Sequence, residues 1–387
     1  MSFPRKKVLW LPKCYPNKFD VLDGVFTVEH AKAAAIYSDV FVLYIHSDTQ
    51  QTKRIEEHYS FSNNYHELKV YFRHKETGIK PVDKLVIGIK YVLTQFLYYR
   101  RVKISWGKPA LTHIHSLARS SFLALWLKWT LKTPFIITEH WSGFDPKTIY
   151  KINKIKRWFI QLVLKNSVCI TTVSDYLQKC VQPYAPKANF YILSNTADEN
   201  IFQPNIRLKA NKKRLIHIST LDDYPKNFGN ILRVIADLSK VTSEFELHVF
   251  GEGVEKEKQI QLAKDLGIYN TFVFFNGYLD KPALAKEIAT SDFMILFSLH
   301  ETQSCVSIEA LLCGIPIIVP KLGGVQELVN FKNGKTVKPL DNQDFYNAIL
   351  ALIQNEIEFN AMEIREDALK FGYKSIGKEI AQIYSNY

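Results

Sequence analysis

The sequence FMILFSLHETQSCVSIEALLCGIPIIVP occupies residues 293–320 and contains two apolar runs around a segment of helical pattern. FMILFS and IPIIVP have the length and composition of buried strands, and SIEALLC between them predicts a helix that ends at Gly314. A strand, a helix and a strand in succession indicate a crossover unit of a parallel sheet. Within this apolar unit, Glu301 and Glu309 place two carboxylates with seven residues between them.

The same alternation continues in both directions from this unit. In the second half, strand-like runs from RLIHIST to IPIIVP alternate with helical segments, GGVQELV predicts another helix, and a helical tail follows from about residue 341. In the first half, KVLWLP, VFVLYIH, THIHS, PFIITEH, NSVCITTVS and NFYILSN predict strands, with helices between several of them. The chain is therefore predicted to be α/β, with two Rossmann-like, doubly wound parallel-sheet domains facing a central cleft.

A polar stretch at residues 196–213 interrupts the alternation and predicts the linker. We expect an N-terminal domain at residues 1–196, a C-terminal domain at 197–370, and a final helix at 371–387 that packs back towards the N-terminal domain. Ligands of open parallel sheets bind outside the carboxyl ends of the strands, so the loops that follow strands are the places to seek binding residues.

Composition places the chain among globular proteins, since 47% of its 387 residues are hydrophobic and no low-complexity tract occurs. The longest apolar stretches are interrupted by lysine and fall short of the ~20 residues needed to cross a bilayer, and the N-terminus lacks the apolar region of a signal peptide. Five scattered cysteines without a CxxC pair indicate reduced thiols and no structural zinc site. We expect a cytoplasmic protein, soluble or peripheral to a membrane.

Charge is divided unevenly along the chain. Residues 1–195 contain 29 Lys and Arg against 13 Asp and Glu, a net charge of +16, whereas the remainder contains 21 against 25, a net charge of −4. A basic half predicts an anionic partner, either a membrane surface or a nucleic acid. Segments 84–103 and 147–165 mix cations with large apolar residues at roughly helical spacing, which suits a helix lying on anionic lipid, although ordinary packing of an amphipathic helix gives the same pattern.

The loop before SIEALLC lies at the carboxyl end of a predicted strand. Either Ser304 or Gln303 begins the helix, and the backbone N–H groups near Cys305 and Val306 would then form an anion site that the helix dipole strengthens. Glu309, flanked by apolar residues, would be a buried carboxylate in need of hydrogen-bond donors, and sugar hydroxyls are suitable ones. The alternative is that the first glutamate is an ordinary loop residue and the second faces solvent.

The stretch STLDDYPKNFGN follows a predicted strand and precedes a helix, with Lys226 near the start of that helix. A lysine at this place either binds phosphate as a point charge or stays on the solvated surface. Gly323 and Gly324 either allow a close backbone approach or form a tight turn. The chain contains no GxGxxG and no GxxxxGK[ST] motif, which argues against a dehydrogenase or a P-loop enzyme.

The stretch HETQSCVSIEALLCGIPIIVPKLGGVQELV (residues 300–329) resembles the signature of glycosyltransferase family 4, whose members are retaining enzymes with the GT-B fold. The shared features are two glutamates separated by seven residues, a helix with small residues, a G-x-P strand and a Gly-Gly turn. NGYL (276–279), ILSNTADENIF (192–202) and NGKTVKPLD (333–341) carry weaker likenesses. The resemblance implies transfer of a sugar from a nucleotide-diphosphate sugar with retention of configuration.

By position, the resemblance assigns Glu309 to the donor ribose, Glu301 to the donor sugar, and Lys226 to the diphosphate, where the cation would stabilise the leaving group. Catalytic roles fall on Glu301, His140 and Lys226. The implied donor-binding residues are Glu309, Lys226, Ser304, Cys305, Val306, Gly24, Val25, Thr220, Gly277, Tyr278, Thr302 and Gln303. The family's arginine before the lysine is absent, because STL stands at residues 219–221, and Thr302-Gln303 stands where Gly-Phe is frequent.

In the first half, DGVFTVEHAKA places Gly24 and Val25 between a strand and a helix. The resemblance implies that this loop lets the backbone approach the diphosphate and sugar, whereas the residues alone favour a turn. His140 follows PFIITE, where it can hydrogen-bond a sugar hydroxyl or support proton transfer, although a lone histidine is more often structural. We expect His115, in THIHS, to line the cleft only weakly.

The leading hypothesis is transfer of a sugar to a glycan or lipid-linked acceptor, in cell-surface polysaccharide or glycolipid synthesis, by a protein peripheral on the inner face of the membrane. The acceptor would bind the basic N-terminal domain and the donor the C-terminal domain. No DxD-like motif stands at a strand end, so we expect neither a metal nor another cofactor. The alternatives are a nucleotide-sugar epimerase or phosphorylase of the same fold and, from another class, a nucleic-acid-binding protein. We expect no nucleic-acid partner, since no reader motif is present.

Overall fold

The computed structural model describes residues 4–148, 151–205 and 211–387. The chain divides into two compact units, the first formed by Met1–Thr196 with Tyr373–Tyr387 and the second by Ala197–Gly372. The boundary expected after residue 196 coincides with the division between the units. Parts of the predicted linker (206–210) and of the basic segment 147–165 (149–150) lie outside the described residues.

Strands and helices alternate through most of the chain. The strands are β1 (Lys7–Pro12), β2 (Asp39–Asp48), β3 (Ile55–Ser62), β4 (Tyr65–Arg73), β5 (Leu111–His115), β6 (Phe135–Glu139), β7 (Cys169–Thr172), β8 (Phe190–Ile192), β9 (Lys213–Ile218), β10 (Phe245–Phe250), β11 (Val273–Gly277), β12 (Phe293–Ile295), β13 (Ile317–Pro320) and β14 (Gly334–Val337). The helices are α1 (Val25–Ala35), α2 (Lys80–Ser105), α3 (Ser121–Leu131), α4 (Lys154–Asn166), α5 (Asp175–Val181), α6 (Asp223–Lys226), α7 (Phe228–Ser239), α8 (Lys256–Asp265), α9 (Lys281–Ala289), α10 (Cys305–Leu312), α11 (Asn342–Ile353), α12 (Ala361–Ala368) and α13 (Tyr373–Ser385). Among the described residues, no helix combines the length and the apolar character that crossing a membrane requires.

The first unit is built on an eight-stranded sheet in the order β3-β4-β2-β1-β5-β6-β7-β8. Its neighbouring strands are parallel except β3 and β4, which pair antiparallel. The chain order reverses between β1 and β5, which pair in a register that ends with Pro12 opposite His115. The carboxyl ends of β1, β5 and the adjacent β6 therefore lie side by side, where open α/β sheets bind ligands.

The hairpin of β3 and β4 is missing from the sequence prediction, which recognised strands by their buried apolar runs. The physical reason is that β3 lies at the edge of the sheet and most of its residues are exposed. A strand without a buried face carries no strong hydrophobic periodicity. Its turn is formed at Asn63, whose φ of 51° is tolerated because asparagine enters the left-handed region more readily than most residues.

The last helix of the chain, α13, packs against α1 within the first unit. Gly377 permits the close approach, since a Cβ at this position would lie 2.2 Å from the carbonyl oxygen of Ala33. The Tyr373 hydroxyl donates to the carboxylate of Glu29 at 2.6 Å. The chain therefore ends in the unit in which it began, and of the expected tail at 371–387 the part from Tyr373 belongs to that unit.

The second unit contains a fully parallel six-stranded sheet in the order β11-β10-β9-β12-β13-β14. Numbered within the unit, this is the order 3-2-1-4-5-6 of a doubly wound Rossmann sheet, and it reverses between β9 and β12. The helix α10 is held against the sheet by Ile308, Leu311 and Leu312, which share one core cluster with Ile317 of β13. The prediction of two doubly wound α/β domains is confirmed.

Two details of the second unit differ from the sequence prediction. The segment GGVQELV forms only a four-residue 3₁₀ helix, Val325–Leu328, because Val329 is already extended and the chain turns at Asn330 and Asn333 to enter β14. β14 itself was not predicted, since GKTV offers one fully buried side chain, that of Val337, and no apolar run. Both differences concern short elements whose hydrophobic pattern is too brief to assign.

Candidate active site

The loops that follow β9 and β12 lie at the switch point of the second sheet, and together with α6 and α10, which they lead into, they carry most of the predicted donor-binding residues. The loop after β9 leads through Thr220 to α6, which ends at Lys226. The loop after β12 leads through Glu301, Thr302 and Gln303 to α10. Because β9 and β12 are adjacent and parallel, these two loops leave the sheet at the same edge.

Lys226 and Glu301 meet in an ion pair, although 75 positions separate them in the chain. The Lys226 Nζ donates to Glu301 Oε1 at 2.7 Å, and the Ser298 hydroxyl donates to the same oxygen at 3.1 Å. The lysine side chain is 24% exposed and the glutamate side chain 10% exposed. The structure thus brings together two of the three predicted catalytic residues and holds them partly out of water.

Two glycines fix the backbone beside Glu301. Gly323 has a φ of 56°, and a Cβ there would lie 1.9 Å from the carbonyl oxygen of Glu301. The N–H of Gly324 donates to that same carbonyl at 3.0 Å. Of the two readings of the glycine pair, the structure shows a tight turn that packs directly against the glutamate loop and positions it.

The helix α10 begins at Ser304, the first of the two candidate starting residues. Ser304 is the N-cap, and its side chain accepts a hydrogen bond from the N–H of Ser307 at 3.2 Å. Cys305 and Val306 form the first turn and are half-buried, whereas Gln303 before the cap is buried. The first turn of a helix carries partial positive charge, so this end of α10 suits an anion.

Glu309 lies in the second turn of α10 and is only 7% exposed. Its neighbours Ile308 and Ala310 are fully buried, so the alternative of a solvent-facing glutamate is wrong for this position. A carboxylate is kept in such surroundings only with hydrogen-bond donors around it. The helix ends as predicted at Gly314, whose φ is 73° and where a Cβ would lie 2.6 Å from the carbonyl oxygen of Ala361.

A second pair of glycines shapes the loop after β9, and sequence reasoning missed it. A Cβ on Gly251 would lie 1.9 Å from the carbonyl oxygen of Ser219, and a Cβ on Gly253 would lie 1.6 Å from that of Thr220. These glycines follow β10, the neighbour of β9, so the motif GEG directly after a strand was the available signal. Thr220 itself is exposed at the edge of the sheet.

His217 ties the ends of β9 and β12 together. Its Nδ1 lies 2.9 Å from the carbonyl oxygen of Ile295, and its Nε2 lies 2.8 Å from the Ser219 hydroxyl. Burial lowers the pKa of His217 to about 4, so the imidazole is neutral at pH 7. Asn227 adds a second tie, since its side-chain amide donates to the carbonyl of Phe297 at 3.0 Å. These contacts hold the two loops of the switch point in register.

Gly277 and Tyr278 lie at the end of β11, which is the edge strand of the sheet and is separated from β9 by β10. Gly277 adopts a φ of 74°, and Tyr278 is half exposed. Strands in a sheet are about 4.8 Å apart, so this position lies roughly 10 Å sideways from the end of β9. The structure therefore places these two residues at the same edge of the sheet as the loop after β9, two strands away from it.

The remaining predicted residues lie in the first unit. Gly24 precedes α1 with a φ of 64°, and a Cβ there would lie 2.3 Å from the backbone of Cys14, which makes glycine obligatory. Val25 opens α1 and is half-buried. The contact with Cys14 accounts for the glycine as a close-packed turn, as the residues alone suggested.

His140 directly follows β6 and is 8% exposed. Its pKa is held well below the ordinary range by burial and by the neighbouring His30 and His113, so it is neutral at pH 7. The adjacent Glu139 is fully buried and accepts backbone hydrogen bonds from Leu117, His140 and Trp141 at 3.0–3.1 Å. Glu139 therefore shapes the loop that carries His140.

Comparison with known proteins agrees with this architecture. Residues 212–355 match the family model described as glycosyl transferases group 1. The chain is 29% identical over 201 residues to N-acetyl-alpha-D-glucosaminyl L-malate synthase of Bacillus anthracis, and this match covers 48% of each of the two chains. It is 23% identical over 283 residues to alpha-monoglucosyldiacylglycerol synthase of Streptococcus pneumoniae, which covers 68% of this chain and 63% of that protein. The matches thus span 48% and 63% of the length of these two relatives.

Solved structures extend the likeness to nearly the whole chain. Sucrose-phosphate synthase from Thermosynechococcus elongatus superposes with a TM-score of 0.76 at 16% identity, over 98% of this chain and 99% of that one. The Anabaena protein HepE in complex with UDP superposes with a TM-score of 0.68 at 16% identity, over 98% and 100%. At such identities the likeness concerns the fold, which is that of two Rossmann-like domains of the GT-B type, and residues 212–355 are similar in sequence to the group 1 glycosyl transferases.

Proposed function

We propose that the protein transfers a sugar from a nucleotide-diphosphate sugar to a glycan or lipid-linked acceptor, with retention of anomeric configuration, in cell-surface polysaccharide or glycolipid synthesis. The observation that carries the proposal is the Lys226–Glu301 ion pair at the switch point of the second sheet, beside a helix that buries Glu309. Solved neighbours bound to UDP, to UDP with glucose and to UDP-glucose support a nucleotide-sugar donor.

Relatives support the acceptor class. One, from Campylobacter jejuni, is named as a 4-alpha-N-acetylgalactosaminyltransferase that acts on a diphospho-undecaprenol glycan, and the match covers 79% of this chain at 25% identity. Another is the alpha-monoglucosyldiacylglycerol synthase, whose product is a glycolipid. A lipid-linked acceptor also suits the basic first half of the chain, since an anionic membrane surface attracts such a charge.

The diphosphate is assigned to Lys226 and to the first turn of α10. Lys226 is paired with Glu301, so donor binding would exchange a carboxylate partner for phosphate oxygens. The released Glu301 carboxylate would then accept hydrogen bonds from donor sugar hydroxyls. During transfer, charge develops on the leaving diphosphate, and a positioned cation with a helix N-terminus stabilises that charge. We assign no metal to this step, because these groups already supply positive charge.

Glu309 is assigned to the ribose. Two neighbouring ribose hydroxyls offer two donors to the two oxygens of one carboxylate, which offsets the cost of keeping that charge buried. Tyr278 is assigned to the neighbourhood of the base, and Thr302 with Gln303 to the choice of sugar. In the first unit, the neutral imidazole of His140 and the backbone at Gly24 and Val25 are assigned to the donor sugar and diphosphate.

Membrane attachment on the cytoplasmic face is assigned to α2, α3 and α4 of the first unit. Along α2, Leu85, Ile89, Leu93 and Leu97 recur every four residues and are each at least half exposed. The same helix carries the cations Lys84, Lys90, Arg100, Arg101 and Lys103, and exposed aromatic or apolar side chains on the other two helices are Phe122, Trp126, Trp129, Ile155 and Trp158. An apolar stripe bordered by cations and tryptophans suits an anionic lipid surface.

The proposal is tested by offering the purified protein a panel of UDP-, GDP- and ADP-sugars, first alone in a calorimetric titration and then with lipid-linked acceptors. We expect saturable binding of one donor class and sugar transfer that requires an acceptor. Turnover of the donor to an isomeric nucleotide-sugar without any acceptor would instead identify an epimerase. Absence of binding for every nucleotide-sugar would overturn the donor assignment.

A further inference from the structure

Three buried imidazoles converge at the carboxyl edge of the first sheet. His30 lies on α1, His115 is the last residue of β5, and His140 directly follows β6. Their exposures are 0%, 1% and 8%, and their ring centroids form a nearly equilateral triangle with sides of 5.4–5.8 Å. Each ring can contribute one nitrogen to a set of three that all lie within 4.8 Å of one another.

The distance between His115 and His140 suits two ligands of one metal ion. Nδ1 of His115 and Nε2 of His140 are 3.3 Å apart. For comparison, N–H···O hydrogen bonds in proteins are about 2.7–3.2 Å long. Two imidazole nitrogens bound tetrahedrally to one zinc ion, each at about 2.0–2.1 Å, stand about 3.3–3.4 Å apart. The pair is therefore already spaced as two ligands of one ion.

His30 is held in the tautomer that a metal ligand needs. Its Nε2 lies 2.8 Å from the carbonyl oxygen of Ser194, and a carbonyl can only accept, so the ring hydrogen is on Nε2. The lone pair is then on Nδ1, a buried atom without a hydrogen-bond partner in the described structure. Metal-binding histidines usually donate their second nitrogen to a carbonyl or carboxylate in this way.

The three rings are also in the right charge state. Burial lowers the pKa of His30 to about 4, and burial together with neighbouring imidazoles holds the pKa values of His115 and His140 well below the ordinary range. Neutral imidazole is the form that binds a metal ion, and three such ligands leave a fourth position for water or another oxygen ligand. The expectation of no metal was based on the scattered cysteines and on the lack of a DxD-like motif, and neither observation concerns a site made of imidazoles.

We propose that His30, His115 and His140 form a binding site for a divalent transition-metal ion of the zinc class. The ion would join α1 to the ends of β5 and β6. The step assigned above to sugar transfer uses no metal, so the ion at the histidines would act on the first unit rather than on the diphosphate. The proposed function also assigns His140 to the donor sugar. If that assignment holds, the metal ion and the sugar would both contact the His140 side chain.

The direct test is a titration of the full-length, chelator-treated protein with Co²⁺, followed by visible absorption, with Zn²⁺ used to displace the cobalt. We expect one ion per chain, the strong visible absorption of a four-coordinate cobalt site, and loss of that signal on addition of Zn²⁺. Substitutions His30→Gln and His115→Gln are each expected to weaken binding at least tenfold. The titration needs no donor, so its failure would leave the proposed function untouched.

Two controls separate this site from adventitious binding. His113→Gln removes a buried histidine whose two ring nitrogens already contact Tyr384 and Thr138, and His58→Gln removes an exposed one; both are expected to keep wild-type affinity. If the ligand variants fail to fold, the wild-type Tm still decides, since Zn²⁺ should raise it and a chelator should reverse the rise. Unchanged Tm and absence of a cobalt signal, or equal affinity in the ligand variants, would overturn the proposal.

Discussion

At the scale of single residues, the candidate site is built around one pair of opposite charges. Lys226 and Glu301 neutralise each other at 2.7 Å and are both partly buried. A ligand that takes only one of them leaves the other with a weaker partner, whereas a phosphate-sugar ligand satisfies both. The pair therefore favours a ligand that carries an anionic part and a hydroxylated part close together.

Loss of the lysine is predicted to affect the chemical step. Lys226→Gln removes the charge that is assigned to the departing diphosphate, and kcat is expected to fall by about 10²–10³-fold. The measurement is the rate of acceptor-dependent sugar transfer at saturating donor. Lys240→Gln is the matched control, because Lys240 is an exposed lysine in an ion pair with Asp237 on another part of the same unit. An equal loss in both variants would contradict the assignment.

The sequence predicts the local features of the candidate site but not the contacts between residues that are distant in the chain. The glutamate spacing, the N-cap Ser304 and the terminal Gly314 could be predicted, because each depends on residues within one turn or two of the chain. The Lys226–Glu301 pair could not, since it depends on the adjacency of β9 and β12. The three-histidine cluster has the same origin: His115 and His140 meet only because β5 and β6 are neighbours.

At the scale of elements, glycine turns position the loops of the second unit. Gly323 combines a φ of 56° with a Cβ position 1.9 Å from the Glu301 carbonyl, so a side chain there must displace the glutamate loop. Gly267 offers a matched comparison, because its φ is 71° but a Cβ there meets nothing within 4 Å. Alanine at Gly267 therefore introduces backbone strain alone, whereas alanine at Gly323 introduces both backbone strain and steric overlap.

We predict that Gly267→Ala lowers the free energy of unfolding by about 1 kcal/mol, which is the cost of alanine at positive φ. Gly323→Ala is expected to cost more than about 2 kcal/mol, because strain and overlap add, and to weaken donor binding as well. Urea denaturation followed by far-ultraviolet circular dichroism measures the first effect, and calorimetric titration with the donor measures the second. Equal costs for the two variants would show that the contact with Glu301 is unimportant.

The exposed stripe of α2 is an element-scale feature with its own prediction. The double variant Leu85→Gln/Leu93→Gln should reduce binding to anionic vesicles at least tenfold, since burying a leucine is worth up to about 1.5–3 kcal/mol. Flotation with phosphatidylglycerol vesicles at low salt measures it. Val241→Gln in the second unit is the control, because Val241 is similarly exposed but lies outside the stripe. Wild-type protein that fails to float would contradict membrane attachment.

At the scale of the whole molecule, the two units differ in their buried histidines. The first unit buries His30, His113, His115 and His140 with lowered pKa values, whereas the second buries His217. A histidine that is neutral when folded takes up a proton on unfolding below pH 6.5. Each such group therefore contributes stability that is fully present above pH 6.5 and is lost as the pH falls towards the folded pKa.

We predict that the first unit loses stability more steeply than the second between pH 6.5 and about 4, by about 1.4 kcal/mol per pH unit for each buried histidine. All six tryptophans lie in the first unit, so tryptophan fluorescence reports that unit while circular dichroism reports both. In urea denaturation at several pH values, the midpoint of the fluorescence transition should therefore fall to lower urea concentration than the midpoint of the dichroism transition as the pH is lowered. Coincident transitions at every pH would contradict this reading.

The central claim is that the second unit binds a nucleotide-sugar with the buried carboxylate of Glu309 on the ribose. The most direct measurement is a calorimetric titration of the accepted donor into the wild type, into Glu309→Gln, and into Glu366→Gln, an exposed glutamate on α12. We predict that Glu309→Gln loses at least tenfold in donor affinity with an unchanged far-ultraviolet spectrum, while Glu366→Gln matches the wild type. Donor affinity that is unchanged in a folded Glu309→Gln variant would contradict the account.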